Sequence, residues 1–308
     1  MNEISLRTME QNDWPAVAAL IHDSTNGWYE AHGHAPIFSG GPESTQVFCE
    51  VYETLDPGCC VLAEDENSGE LLGSCFYRRR PSHVSLGIMN VDARHFGRSV
   101  ASALLTFVCK VADEAELPLR LVSSAMNLDS YSLYTRVGFV PRVVYQDMVL
   151  PLPEGDHGIV APGRERVRSA RAGDLQSIVA LGEEVEKLNR ERDFEYFLSQ
   201  PDIWHVSVIE EESGRLSGCL ASIAHPGSTM LGPGFSRDEA SAAALILAEL
   251  EHRRGHTPVF VVPAHCEELV ATLYGWGARN CELHVHQCRG RWDQPSGVSM
   301  PTFLPESA

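Results

Sequence analysis

The chain has 308 residues, of which 44% are hydrophobic and 21% are charged. This length and balance exclude a disordered chain and predict two globular domains, each with its own core. The formal net charge is −18, from 24 Lys and Arg against 42 Asp and Glu. Because a field of this sign repels phosphate backbones and anionic lipid surfaces, we expect no nucleic-acid partner and no membrane partner.

Nine cysteines are scattered along the chain without a CxxC pair. Because their number is odd and they form no such pair, we expect reduced thiols and a cytoplasmic location. The first residues are acidic and lack the basic start and apolar run of a secretory signal. No apolar stretch reaches about 18 residues, so we expect neither export nor a membrane span.

The sequence contains an internal repeat. The pattern S-G-x-L-x-G begins at Ser68 and again at Ser213, 145 positions later. Each copy follows an apolar run and an acidic stretch, which predicts a strand, a tight turn at Ser-Gly and a second strand. The chain is therefore expected to contain two copies of one architecture.

A second match extends the repeat toward the start of each copy. Arg7 and Asp13 align with Arg168 and Asp174 at a shift of 161, where a strand leads into a capped helix. The shifts differ because the first copy holds an extra segment, residues 24–45, rich in Gly, His and aromatic side chains. We expect this insertion to form a binding loop or lid.

A stretch rich in Pro and Gly, residues 151–163, separates the two copies. We therefore predict a first domain at 1–152, a linker at 153–163 and a second domain at 164–308. In both copies, predicted strands and helices alternate after the hairpin, which indicates an α/β (α+β) fold in which a mixed twisted sheet is flanked by helices.

A loop of small residues connects the apolar strand predicted at 84–91 to the helix predicted at 102–116. Small side chains let a ligand approach the backbone. A loop of this kind gathers unpaired backbone N–H groups at the positive end of the helix dipole, where they can hold a pyrophosphate with few cations. An acidic chain can thus bind a nucleotide cofactor here.

This loop resembles the phosphate motif of the GNAT superfamily, in which a V-x-P strand end is followed by R/Q-G-x-G-x-G/A and a helix. Alignment on Val91 and on the pair Leu104-Leu105 places Phe96 at the Arg/Gln position and Ser99 at a glycine position. Both of these residues depart from the family pattern.

A competing register takes Arg94, Gly97 and Ser99 as the R-x-x-G-x-G triple, but it shifts the leucines of the helix by two positions. We therefore favour the first register. The resemblance then implies that eight residues bind the cofactor: Asn90, Val91, Phe96, Gly97, Arg98, Ser99, Val100 and Ala101.

Residues 127–139 resemble a second GNAT pattern, N-x-x-A-x-x-L-Y-x-x-x-G-F, with every spacing kept and Ser130 in place of the alanine. Periodicity alone would make Tyr134 a helix aromatic packed on the sheet, but the surrounding motif favours a functional residue. The resemblance implies that Asn127 lies near the cofactor and that Tyr134 faces the thioester sulfur as the general acid. Phenols stay protonated at neutral pH and can donate to a leaving thiolate.

The resemblance implies an N-acyltransferase, in the first place an acetyltransferase, that uses acetyl-CoA or another acyl-CoA as co-substrate and no metal. The acceptor would be an amine of a small molecule or a protein that attacks the thioester directly, in a split between sheet strands. The alternative is a catalytically idle sensor or scaffold that binds acyl-CoA. Hydrolysis of the thioester without an acceptor is a third reading. The negative charge favours a cationic acceptor, and the oligomeric state is left open.

The general base is also left open, because the strand predicted at 84–91 carries no carboxylate. The candidates are Glu64 and Asp65 at the first hairpin, His83, a residue of the 24–45 insertion, or a relayed water.

The second copy lacks both motifs, so we expect two tandem GNAT-like domains of which the second is degenerate. Asp238 and Glu239 occupy the position of the phosphate loop, where their carboxylates would repel a diphosphate. Alignment of the two glycine turns places Leu273 on Tyr134. We expect this copy to pack against the first domain, complete the sheet or wall the acceptor cleft.

One further cluster, Cys281, His284, His286 and Cys288, lies on a predicted strand and contains ligands that zinc accepts. Successive residues on one face of a strand are about 7 Å apart, which is too far for tetrahedral closure around one ion. We therefore expect a terminal strand without a metal.

Overall fold

The computed structural model describes residues 4–306 of the chain. Cα proximity divides them into two compact units. Unit 1 comprises residues 4–121, 225–228 and 303–306, and unit 2 comprises residues 122–224 and 229–302.

The division into units falls at Leu121, upstream of the predicted linker. Residues 151–163 contain neither helix nor strand, as expected of a connecting segment. The domain boundary at 153–163 follows from the repeat and not from spatial compactness, and it stays a prediction.

Unit 1 is a sheet flanked by three helices. Its strands are β1 (Ile4–Thr8), β2 (Cys60–Asp65), β3 (Leu71–Arg79), β4 (Val84–Val91) and the first half of β5 (Leu119–Ser124). Its helices are α1 (Trp14–Ala31), α2 (Gln46–Leu55) and α3 (Val100–Glu114). β1 to β4 pair antiparallel in chain order, and β5 pairs parallel with β4. Helix and strand residues such as Ile21, Leu62 and Leu104 are fully buried, which gives the unit its own core.

Unit 2 contains the rest of the elements. Its strands after β5 are β6 (Val140–Val149), β7 (Val167–Ser169), β8 (Trp204–Glu210), β9 (Leu216–His225), β10 (Ser228–Ser236), β11 (Val259–Pro263), β12 (Arg279–Arg289) and β13 (Val298–Met300). Its helices are α4 (Leu128–Arg136), α5 (Leu175–Val185), α6 (Glu191–Ser199), α7 (Glu239–His252) and α8 (Glu267–Gly275). α7 buries ten consecutive residues, 241–250, which explains why this stretch is apolar or small on every side except at Glu249.

The last strand of each copy is exchanged. The strand order in unit 2 is β5-β12-β6-β11-β10-β9-β8-β7. β12, from the second copy, therefore lies beside β5, and β6, from the first copy, lies beside β11, while β6 and β12 pair antiparallel along their length. Completion of the sheet, one of the roles expected of the second copy, is thus provided by β12.

Both copies repeat one ion pair at the start of their first helix. Arg7 Nη1 lies 2.7 Å from an Asp13 carboxylate oxygen, and Arg168 Nη1 lies 2.8 Å from an Asp174 carboxylate oxygen. Each arginine also binds a glutamate of the neighbouring strand. The same contacts at the same repeat positions support the duplication expected from the sequence.

Acid should destabilise the fold through these pairs. The hydrogen bond from Arg7 holds the pKa of the Asp13 carboxyl below its ordinary value of 3.8, and Arg168 has the same effect on Asp174. A lowered folded-state pKa adds stability that is complete above the unfolded-state value and is lost as the pH falls through the folded-state value. We expect the free energy of unfolding in urea to fall less below about pH 4 in Asp13→Asn than in the wild type.

The matched control for this prediction is Asp202→Asn, which removes an exposed carboxylate. It should keep the acid sensitivity of the wild type. Identical acid dependence in the wild type and in Asp13→Asn would show that the Arg7 pair contributes nothing.

The insertion at 24–45 is only partly a loop. α1 continues to Ala31, residues 32–41 are irregular, and Pro42–Thr45 form one 3₁₀ turn. The expectation of a loop was wrong for the first eight residues because their polar side chains find partners within the fold. The Ser24 hydroxyl donates to the Leu20 carbonyl at 2.6 Å, and the Asn90 amide donates to Ser24 and Thr25.

The nine cysteines are free thiols. Among residues 4–306, every helix is too short or too polar to cross a bilayer.

Candidate functional site

The loop between β4 and α3 turns sharply into the helix. Gly97 and Ser99 have φ angles of +76° and +65°, and α3 begins at the next residue, Val100. This left-handed backbone suits glycine at position 97, whereas it is uncommon for serine. Residues 96–99 are exposed, so the amino-terminal end of α3 faces solvent.

The backbone N–H groups at this end of α3 are unpartnered. The Ala103 N–H donates to the Ser99 carbonyl at 3.0 Å, and this is the first hydrogen bond of the helix. Within residues 4–306, no acceptor faces the N–H groups of residues 97 and 99–102. Five backbone donors therefore have no recorded protein acceptor at the positive end of a helix of 15 residues.

The arginines beside the loop are held by protein acceptors. Arg94 lies 2.5 Å from Asp92, and its hydrogen bond lowers the pKa of that carboxyl. Arg98 Nη1 donates to the His95 ring at 2.7 Å, and Arg98 Nη2 lies 3.6 Å from an Asp65 oxygen. The open donors at this end are consequently main-chain amides.

The equivalent helix of the second copy is closed. The Asp238 carboxylate caps α7, accepting from the Ser241 N–H at 2.7 Å and from its hydroxyl at 3.0 Å. The Glu239 carboxylate accepts from the Leu269 N–H at 2.6 Å. As predicted from the sequence, protein carboxylates lie at this end, where their charge would repel an anionic ligand.

The parallel strand pair next to each loop also differs between the copies. β4 and β5 pair only at Val84 with Leu119 and at Ser85 with Arg120. From residue 86 to 91, no strand pairs with this edge of β4 in the described part of the chain. The edge is open to a ligand that offers amide groups.

In the second copy, β10 and β11 likewise pair at only two positions. Beyond these positions, β10 pairs with β13 instead. β13 pairs antiparallel with residues 234–236 of β10, so the chain itself fills the opening. The first copy therefore keeps both an open helix end and an open strand edge, and the second copy keeps neither.

The motif at 127–139 forms α4 and its two caps. The Asn127 side chain accepts from the Ser130 N–H at 3.0 Å, which caps the helix. Gly138 has φ +97°, and the Phe139 N–H donates to the Tyr134 carbonyl, which ends the helix in a Schellman-type turn. Tyr134 is 6% exposed, with its ring 5.8 Å from that of Phe139.

α8 repeats this turn without the tyrosine. Gly277 has φ +93°, and the Ala278 N–H donates to the Leu273 carbonyl at 3.0 Å. Leu273 therefore stands where Tyr134 stands in the first copy, as the sequence alignment predicts. The nearby Tyr274 is exposed, and its hydroxyl donates to Gln146.

The predicted cofactor-binding residues fall into two groups. Residues 90–101 belong to unit 1, and Asn127 and Tyr134 belong to unit 2. Within the first group, the Asn90 side chain is buried against the hydroxyls of α1, whereas Phe96 is 57% exposed on the loop.

The three named candidates for the general base are engaged in other contacts. Glu64 binds the Arg7 guanidinium at 2.7 Å. The Asp65 carboxylate accepts from the Asn67 N–H at the hairpin, and the His83 ring bonds the Ser82 hydroxyl at 2.9 Å. These contacts therefore single out none of the three side chains as the general base.

Sequence reasoning missed the strand β13 and the side chain of Asp147. β13 has three residues, too few for a periodic pattern. Asp147 bonds His284, 137 positions away, and its only signal was a carboxylate inside a mostly apolar strand.

The strands and helices described above form a mixed α/β fold. Residues 22–139 match the family model described as the Acetyltransferase (GNAT) family. Among curated protein sequences, none matches the chain.

Solved structures match almost the whole chain. One is from Pyrococcus horikoshii and is provisionally described as an acetyltransferase. It has a TM-score of 0.77 and 13% identity, and the match covers 99% of this chain and 96% of that protein. A GCN5-related N-acetyltransferase from Sphaerobacter thermophilus has a TM-score of 0.65 and 18% identity. The match covers 96% of this chain and 98% of that protein.

A third solved structure is a tandem GNAT protein from the clavulanic acid biosynthesis pathway, with a TM-score of 0.59 and 13% identity. The match covers 94% of this chain and 100% of that protein. These neighbours confirm the predicted fold class, and together with the family match they support the GNAT superfamily.

Proposed function

We propose that the chain is an acyl-CoA-dependent N-acyltransferase whose acyl-CoA site is built by the first copy. The observation that carries this proposal is the contrast between the two helix ends. The amides of residues 97 and 99–102 are open, whereas the matching end of α7 is capped by Asp238. The family match at residues 22–139 covers the open copy.

The amides at the start of α3 would bind the diphosphate of the cofactor. Main-chain N–H groups at a helix end bind anions without a lysine or arginine, so the engagement of Arg94 and Arg98 elsewhere is no obstacle. The open edge of β4 would take the amide-bearing arm that connects the diphosphate to the sulfur. Residues 90–101 then hold the cofactor mainly through backbone groups.

Tyr134 would act as the general acid. When an acceptor amine attacks the thioester carbonyl carbon, a C–N bond forms and the C–S bond breaks. The sulfur leaves as a thiolate with the electron pair, and the Tyr134 phenol donates its proton to it. The ammonium proton of the acceptor passes to a base or to water. The products are an amide and the free thiol of CoA.

The second copy would contribute structure instead of a second site. Its helix end is capped, its strand opening is filled by β13, and Leu273 replaces the tyrosine. We accordingly expect one cofactor per chain.

Calorimetry with acetyl-CoA, followed by a thiol-release assay against a panel of amines, tests the proposal. It predicts one bound acetyl-CoA per chain and release of CoA thiol that depends on an amine. Binding without release for any small amine or lysine peptide would favour an idle sensor or scaffold. Release at the same rate without an amine would favour thioester hydrolysis, and absence of binding would overturn the assignment.

A further inference from the structure

Three ionisable side chains converge on two neighbouring strands of unit 2. Asp147 on β6 stands directly opposite Glu282 on β12, and His284 lies two residues further along β12. The His284 ring reaches both carboxylates, with Nδ1 2.9 Å from Asp147 Oδ1 and Nε2 4.0 Å from Glu282 Oε1. One ligand atom from each residue lies within 4.8 Å of the other two.

The cluster is withdrawn from solvent. The side chains of Asp147, His284 and Glu282 are 4%, 10% and 8% exposed. Like charges directly opposite each other on paired strands repel, and burial strengthens that repulsion because the surroundings screen it less. A divalent cation held between the two carboxylates and the imidazole would reduce this repulsion.

The donor set suits a transition-metal ion. Imidazole nitrogen and carboxylate oxygen are both ligands that zinc accepts. Zinc bonds of about 2.0–2.2 Å to nitrogen and oxygen place neighbouring ligand atoms roughly 3.3 Å apart. The three ligand atoms, which lie within 4.8 Å of one another, would therefore have to approach by rotation of their side chains.

We propose that Asp147, Glu282 and His284 bind a divalent transition-metal ion such as Zn²⁺. The sequence predicted no metal here because only ligands along one strand, His284 with His286 and Cys288, were considered. The folded chain supplies a ligand from the neighbouring strand instead, which removes the spacing objection. This site is independent of the proposed acyltransferase function.

Calorimetry of the full chain, stripped with EDTA, against Zn²⁺ tests the proposal, with metal analysis of the dialysed protein as a second readout. We expect one Zn²⁺ per chain, and a rise in Tm on its addition. Glu282→Gln and His284→Gln should each weaken binding at least about tenfold, which is the size of effect typical of a lost ligand or partner.

Two matched variants should bind Zn²⁺ as the wild type does. His205→Gln breaks another buried His–Glu pair, in which Nδ1 lies 2.8 Å from Glu249, and Cys281→Ser removes the exposed thiol nearby. Circular dichroism checks that each variant is folded, and Asp147→Asn takes the place of Glu282→Gln or His284→Gln if either of these does not fold.

The proposal fails if the wild type takes up no Zn²⁺. It also fails if Glu282→Gln and His284→Gln bind as tightly as the wild type. Weakening by Cys281→Ser alone would place the ion at the thiol and away from these three residues.

Discussion

Tyr134→Phe should lose roughly ten- to a thousandfold in kcat while keeping the wild-type affinity for acetyl-CoA. The substitution removes one oxygen from a ring that is 6% exposed and packed beside Phe139, so the helix and its turn should be unchanged. The loss is expected because the thiolate would then have to leave without a proton donor. Steady-state kinetics with a saturating amine measure kcat, and calorimetry measures the affinity.

Tyr131→Phe is the matched control, because Tyr131 lies on the same helix one turn earlier. It should turn over like the wild type. Full activity of Tyr134→Phe would remove the phenol from the mechanism, although it would leave cofactor binding by the first copy untouched.

Ser99→Asp should weaken the binding of acetyl-CoA by about ten- to a hundredfold. This variant places a carboxylate at the residue before α3, which is the arrangement that Asp238 gives to α7. The carboxylate would compete for the open amides and repel a diphosphate. Aspartate tolerates the left-handed backbone of position 99 and suits a helix amino terminus, so Tm should not fall.

Ser213→Asp adds the same charge at the exposed hairpin of the second copy and should leave the affinity unchanged. Calorimetry on both variants separates a local effect from a change in net charge. Wild-type affinity in Ser99→Asp would mean that the diphosphate lies elsewhere.

The features that the sequence predicted are those in which a short segment determines its own backbone. The glycine at 138 has the positive φ that ends α4, and Gly277 has the same role after α8. The alignment of Leu273 with Tyr134 could be made from the sequence because both residues lie at a fixed distance before that turn. The open and capped helix ends were likewise predictable, since a helix end is closed by residues within its first turn.

The features that the sequence missed depend on pairing between distant segments. Nothing in the apolar run of β6 indicates that its neighbours are β11 and β12, since any buried strand has the same pattern. The filling of the second opening by β13 and the meeting of Asp147 with His284 follow from that exchange. The helical part of the insertion was missed because its polar side chains bond to α1 and β4, which local propensity does not report.

Amide hydrogen exchange in the presence of CoA is the most direct test of the central claim. If the open amides of α3 hold the diphosphate, CoA should slow exchange in the segment covering residues 97–102. Exchange at the capped start of α7, residues 239–243, should not change. Unchanged exchange at 97–102, or slowing at 239–243 alone, would contradict the assignment of the cofactor site to the first copy.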